Sequence, residues 1–244
     1  CDWYTKTLPD SRQKEMPHRY VLGLYELLER LTGEFPHILF EGCSGGGGRF
    51  DAGMLYYCPQ IWCSDDTDAH ERTFIQYGTS FFYPISAVGS HVSAVPNHQT
   101  GRSTSIETRG TVAMAGSFGY ELDLNILSEE EKQEVAKQIK TYKEYQPLIH
   151  NGFYYRLSNP HKENMAVWEF VSQDGKEVLV QGVVFRAKPN TLRIRIRLAG
   201  LEEGMYEVLG TGEVYTGKAL MTGGILLPKV SGDDVSFEFY LKKK

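Results

Sequence analysis

The chain has 244 residues, 41% of them hydrophobic, and a formal net charge of -5, enough material for one large domain or two smaller ones. The acidic balance leaves no global basic surface, which argues against a nucleic-acid backbone or an anionic membrane as partner. No apolar run reaches the ~20 residues of a membrane span, and the start "CDWYTKTLPDSRQK" lacks the apolar stretch of a secretion signal, so a soluble, cytoplasmic protein is expected.

In chain order, Tyr20, Val21, Leu24, Leu27, Leu28 and Leu31 recur at the three- and four-residue spacing of an amphipathic helix, predicted over Ser11 to Thr32 with Gly33 as its stop. "HILFEGC" reads as a short buried strand that ends at a glycine loop. "MLYYCPQIWCSDD" follows as a short helix or turn and then a strand through Ile61 and Trp62. "DAHERTFIQYGTS" is a helix capped by Thr67 or Asp68, "YPISAVGSHVSAVP" a loop and strand, "SIETRGTVAMAG" a helix, and "FGYELDL" a strand. Ser128 caps a last helix, "SEEEKQEVAKQIKTYKEYQ". Such alternation predicts a parallel sheet with crossover helices and the chemistry at the carboxyl ends of the strands.

After Pro147 the texture changes to short alternating runs, "VWEFVSQDGKEVLVQGVVF", "TLRIRIRLAGL", "MYEVLG", "VYTG" and "VSFEFYL", with Asp174-Gly175 as the clearest hairpin turn. An all-β domain is therefore expected over 150–244, behind an α/β domain over 1–149. The cysteines, Cys1, Cys43, Cys58 and Cys63, form no CxxC pair and have no matching histidine spacing, so neither a disulfide framework nor a metal site is expected. No organic cofactor motif is found either. "SGGGG" lacks the Lys-Ser/Thr of a P-loop and the spacing of a dinucleotide fold.

That glycine run lies between a predicted buried strand and an apolar helix, where a bare backbone serves close approach to a ligand better than it serves a linker. Three acids, Asp65, Asp66 and Asp68, follow in "SDDTD". Asp68 or Thr67 suits a helix cap, while Asp65 stands at the strand end, where no cap is needed. His91 and His98 have no carboxylate or thiol at metal spacing and read as hydrogen-bonded or sugar-contacting groups. Tyr56, Tyr57, Trp62, Phe81, Phe82 and Tyr83 read as core and pocket wall.

"CSGGGGRFDAGMLYYCPQIWCSDDTDA", "PNHQTGR", "GSFGYELDL" and "GTGEVYTGKALMTGGILLP" closely resemble the α-galactosidases of glycoside hydrolase family 36, from about Arg12 onward. The resemblance implies a (β/α)8 barrel, of which about strands five to eight are represented here, followed by an antiparallel β-sandwich. It implies retaining hydrolysis of terminal α-galactosyl residues from raffinose- or melibiose-type oligosaccharides, no cofactor, and a homo-oligomer at full length. It further implies that Asp65 is the general acid/base and that Cys43, Ser44, Gly45 and Gly46 contact the galactose.

A retaining glycosidase needs two carboxylates roughly 5 Å apart. The family's nucleophile lies in a K-W-D-x-N-R motif, which this sequence does not contain. Counting back from "HRYVLGLY" places that aspartate just ahead of Cys1. Asp2 adjoins a tryptophan in the wrong order, with no Asn-Arg after it, and is not read as the nucleophile. The expectation is the carboxyl-terminal half of such an enzyme, catalytically incomplete as an isolated chain. A non-catalytic galactoside-binding remnant and a structural or assembly module remain the alternatives.

Overall fold

The computed structural model describes residues 5–190 and 193–244. Four parallel strands, β1 (Glu41–Gly42), β2 (Gln60–Trp62), β3 (Val88–Ser93) and β4 (Ser117–Glu121), pair in chain order, so each crossover steps to the next strand in the same direction. Because the strands are parallel, the loops after them all open at one edge of the sheet. Ahead of β1 runs α1 (Met16–Glu34), and between β1 and β2 lies α2 (Ala52–Tyr57). The crossovers are α3 (Ala69–Thr79) and α4 (Ile106–Met114), and α5 (Glu129–Asn151) leaves β4.

Most predicted elements are present, but the buried strand expected over "HILFEGC" is only Glu41–Gly42, with Ile38 and Leu39 48% and 69% exposed ahead of it. α1 runs through Gly33 to Glu34, because a glycine near a helix end weakens the helix by only about 1 kcal/mol. Ser128 and Glu131 form the reciprocal capping box that opens α5, and three glutamates in its first turn favour the positive end of the dipole. The helix passes Pro147 and ends at Asn151, where the sequence predicts a change of texture. Leu148 and Ile149, 5% and 1% exposed, lie in the core and offset the hydrogen bond that the proline removes.

The second layer is a six-stranded antiparallel sheet in the order β10-β9-β12-β7-β6-β5, built from β5 (Phe153–Arg156), β6 (Met165–Val171), β7 (Glu177–Arg186), β9 (Met205–Val208), β10 (Val214–Thr216) and β12 (Asp233–Lys243). Gly175, at φ +66°, takes the left-handed position in the predicted β6–β7 turn. The run predicted as a strand over 191–201 contributes only β8 (Arg195–Ile196), which pairs with β11 (Ile225–Leu226); residues 191 and 192 lie outside the described residues. A short helix, α6 (Gly217–Thr222), stands within the domain expected to be all β. Its start is fixed by the Thr216 side chain, which accepts from the Ala219 N–H.

Alternation along β6 and β7 divides the apolar residues between two cores. Trp168, Phe170, Leu179 and Val183 join Val112 of α4 and Tyr142, Tyr145 and Ile149 of α5, while Val167, Val171, Val178 and Val180 join Tyr206, Leu220, Ile196 and Ile225. The antiparallel sheet and the α/β layer thus share one core. Polar bonds add to the seam: His70 Nδ1 meets Asp234 Oδ1 at 2.6 Å, Thr108 Oγ1 donates to Asp234 O at 2.6 Å, and Tyr145 OH donates to Glu238 Oε1 at 2.9 Å.

Glu169 of β6 is fully buried among apolar groups. Its Oε2 accepts from the Ala199 N–H at 2.8 Å, but Oε1 has no partner among the described residues, and burial pushes the carboxyl up from the ordinary 4.5 to about 8. Between those values the folded state holds a proton that the unfolded state has lost, so the stabilising contribution declines as pH rises from about 4.5 to about 8. Glu169→Gln should flatten that part of the Tm-against-pH curve relative to the parent. Parallel curves would assign the decline to other groups.

Candidate active site

The glycine run folds as a single left-handed turn. Ser44, Gly45, Gly46 and Gly47 have φ of +64°, +68°, +70° and +85°, and the Gly47 N–H donates to Cys43 O at 3.2 Å. L-residues lose about 1–2 kcal/mol each in this conformation, which explains the glycines better than flexibility does. A Cβ on Gly46 would stand 2.7 Å from Asp65 N and 3.2 Å from its Cγ, and one on Gly47 would stand 2.6 Å from Cys63 O. The turn after β1 therefore lies against the segment after β2. Gly45 faces open space, and Cys43 is an exposed free thiol.

The three aspartates have three different surroundings. Asp65 is exposed, its Oδ1 takes a hydrogen bond from Trp62 Nε1 at 3.2 Å, and its carbonyl accepts from Gln99 Nε2 at 3.4 Å. Asp66 turns inward on its own loop and accepts from the Asp68 N–H at 3.0 Å. Asp68 is 3% exposed and caps α3 by accepting from the His70 N–H at 2.9 Å. Its other oxygen accepts from Arg102 Nη1 and Thr100 Oγ1. Burial alone would raise its pKa, but the bonds from Arg102, Thr100 and His70 outweigh it and hold the carboxyl below the usual aspartate range. Asp68 is the predicted cap and also the anchor of the 97–102 loop, which the sequence does not reveal.

Trp62 is 8% exposed, as pocket-wall burial requires, whereas Tyr56, Phe81 and Phe82 are 76%, 55% and 84% exposed. Those three depart from the core reading: Phe81 and Phe82 follow the end of α3, and Tyr56 sits on the short α2 beside Tyr57, which packs inward. His91 stacks on Trp62 at 4.6 Å, while His98 is exposed. Buried Arg72 carries no signal in the sequence, since it occupies a helix position like any surface arginine. It donates to Ser64 O at 3.2 Å and Gly89 O at 2.6 Å. Asp2 lies outside the described residues.

An exposed carboxylate thus stands beside a turn of bare peptide groups, at the carboxyl edge of a parallel sheet. No helix among the described residues is long and apolar enough to cross a membrane. Residues 2–152 match the Melibiase family, and residues 165–241 match the glycosyl hydrolase family 36 C-terminal domain. The bifunctional alpha-galactosidase/sucrose kinase AgaSK of Mediterraneibacter gnavus is 53% identical over 96% of this chain and 25% of its own length. The alpha-galactosidase AgaA of Geobacillus stearothermophilus is likewise 53% identical, over 98% of this chain and 33% of its own. An AgaA variant solved with raffinose superposes with a TM-score of 0.94 at 52% identity, covering 97% of this chain and 33% of that one. The chain spans a quarter to a third of the length of these relatives.

Proposed function

Because the chain belongs to the melibiase family of glycoside hydrolases and carries the family 36 carboxyl-terminal domain, we propose that it forms the acid/base side of a retaining α-galactosidase site. In this reading the α/β layer, residues 1–149, is about strands five to eight of a (β/α)8 barrel, and residues 150–244 form a carboxyl-terminal β-sandwich. The substrate class is terminal α-galactosides such as raffinose, which AgaA binds.

The observation that carries the reading is the approach of Gly46 to Asp65. A Cβ there would strike the acid's own backbone, so the turn presents peptide groups within reach of a sugar held beside the carboxyl. Cys43, Ser44, Gly45 and Gly46 would line the galactose, and Asp65 would stand over the glycosidic oxygen. In the first half-reaction a nucleophilic carboxylate bonds to the anomeric carbon while the carbon–oxygen bond breaks. The bonding pair stays on the leaving oxygen, which takes the proton of Asp65. In the second, Asp65 removes a proton from water as the water oxygen displaces the enzyme carboxylate and frees galactose. The nucleophile comes from a K-W-D-x-N-R segment, a motif that the present sequence does not contain.

The test compares the purified 244-residue chain with a chimera in which it replaces the matching third of AgaA. The chimera should release α-galactose from melibiose with retention, read by NMR. The chain alone should hydrolyse an aryl α-galactoside negligibly, for want of a nucleophile. An inactive, folded chimera would overturn the catalytic reading: galactose affinity without turnover would support a binding remnant, and no effect of galactose on Tm a structural module. Turnover by the chain alone, lost in Asp2→Ala, would place the nucleophile within it.

A further inference from the structure

Trp62 closes β2 three residues before Asp65, and its ring is held from several directions. His91 stacks on it with 21° between the planes, and the Arg72 guanidinium carbon stands 4.7 Å from its centroid. At Gly89 on the neighbouring strand, a Cβ would come to 3.4 Å from the indole Cε3. Room for His91 is made in turn by Gly119, where a Cβ would stand 2.8 Å from the imidazole Cδ2. Arg72, 3% exposed, lies over the indole and also grips Ser64 O, the carbonyl just before Asp65. A single guanidinium therefore holds both the ring and the peptide that carries the acid, and fixes one against the other.

The indole N–H can only donate, and it donates to Asp65 Oδ1. An oxygen that accepts this bond is best left unprotonated, so the proton belongs on Oδ2. We infer that Trp62 is the positioning residue of Asp65: it fixes Oδ1 and makes Oδ2 the oxygen that delivers the proton to the leaving group and recovers it from water. This rests on the reading of Asp65 as the acid/base. With Oδ1 engaged through both half-reactions, the carboxyl need not rotate between them. Titratable side chains near the pair, besides Arg72, include Asp66 on the same loop, Glu41 beside Gly89, and His91, whose Nδ1 lies 3.7 Å from Glu121.

The test is Trp62→Phe in the chimera, which keeps a flat ring for the stack and deletes the N–H. On raffinose, kcat should fall about tenfold or more, with KM changed less than about twofold, and kcat/KM for an aryl galactoside with an acidic phenol, which reports its first half-reaction, should lose less. A loss carried by KM, or an equal loss of kcat/KM on both substrates, would overturn the inference. Asp65→Ala in the same assays separates the two readings. If it lacks leaving-group dependence, the acid/base assignment falls and the inference with it; if it has that dependence while Trp62→Phe shows none, only the inference falls. Should Trp62→Phe fail to fold, the 15N-labelled 244-residue chain gives the answer. One of its three indole N–H resonances should shift markedly in Asp65→Ala, as its hydrogen bond to Oδ1 is lost, and the absence of such a shift would overturn the inference.

Discussion

Asp65→Ala in the AgaA chimera is expected to lower kcat on raffinose by about two to four orders of magnitude, while hydrolysis of an aryl α-galactoside with an acidic phenol loses far less in its first half-reaction. The asymmetry follows from where the proton is needed. A sugar leaving group departs as a strongly basic alkoxide unless it is protonated, whereas an acidic phenolate leaves unaided. Water attack on the glycosyl-enzyme still needs the base, so the aryl substrate should show a burst followed by slow turnover, and added azide should restore the rate by attacking in place of water. Neighbouring Asp66 accepts from the Asp68 N–H and belongs to the loop's own bonding. Equal loss on both substrates for Asp65→Ala, with leaving-group dependence appearing in Asp66→Ala, would move the acid/base to Asp66.

Asp68→Ala should leave the leaving-group behaviour alone and instead destabilise the chain by roughly 2–4 kcal/mol. The lost helix cap accounts for about 1 kcal/mol. The charge-assisted bonds from Arg102 and Thr100 to a buried oxygen account for about 1.5–3 more. Asp68→Asn keeps an N-cap oxygen and should recover the smaller part only. The sign with pH follows from the depressed carboxyl: the contribution is complete above the ordinary aspartate value of 3.8 and is lost as pH falls below it. Urea midpoints of parent and Asp68→Ala should therefore converge in acid. A constant gap between pH 7 and pH 3 would show that the ion pair contributes nothing.

Periodicity and punctuation made most of the architecture legible. The α1 stripe, the Ser128 capping box and the alternation in β6 and β7 each write a local rule directly into the sequence, and each element is present, although α1 starts at Met16 behind a 3-10 turn over Asp10–Glu15 and runs past its expected stop. The failures lie where tertiary burial overrides a local signal, as when α5 runs on past Pro147, or where a local cap goes unread, as at Thr216 before α6. At the site, the pattern drew attention to the glycines and the acids, because bare backbone and clustered charge are both costly without a purpose. It could not show that Gly46 touches Asp65, nor that Arg72, His91 and Trp62 form one stack, since these contacts join different strands and leave no spacing to read.

Tyr145 of α5 reaches Glu238 of β12, which also holds Gln181 of β7, whose Oε1 receives the Trp168 indole of β6. This polar thread runs through the core that the two layers share, so the boundary between the two family matches is a seam in sequence and not a hinge in the molecule. Recombination between relatives at that boundary would join Tyr145 to a foreign partner for Glu238 and set unmatched apolar faces against each other. Functional hybrids should therefore favour crossover points that keep α5 with β6, β7 and β12 from one parent, and substitutions at 145, 181 and 238 should be inherited together across lineages that diverge freely elsewhere.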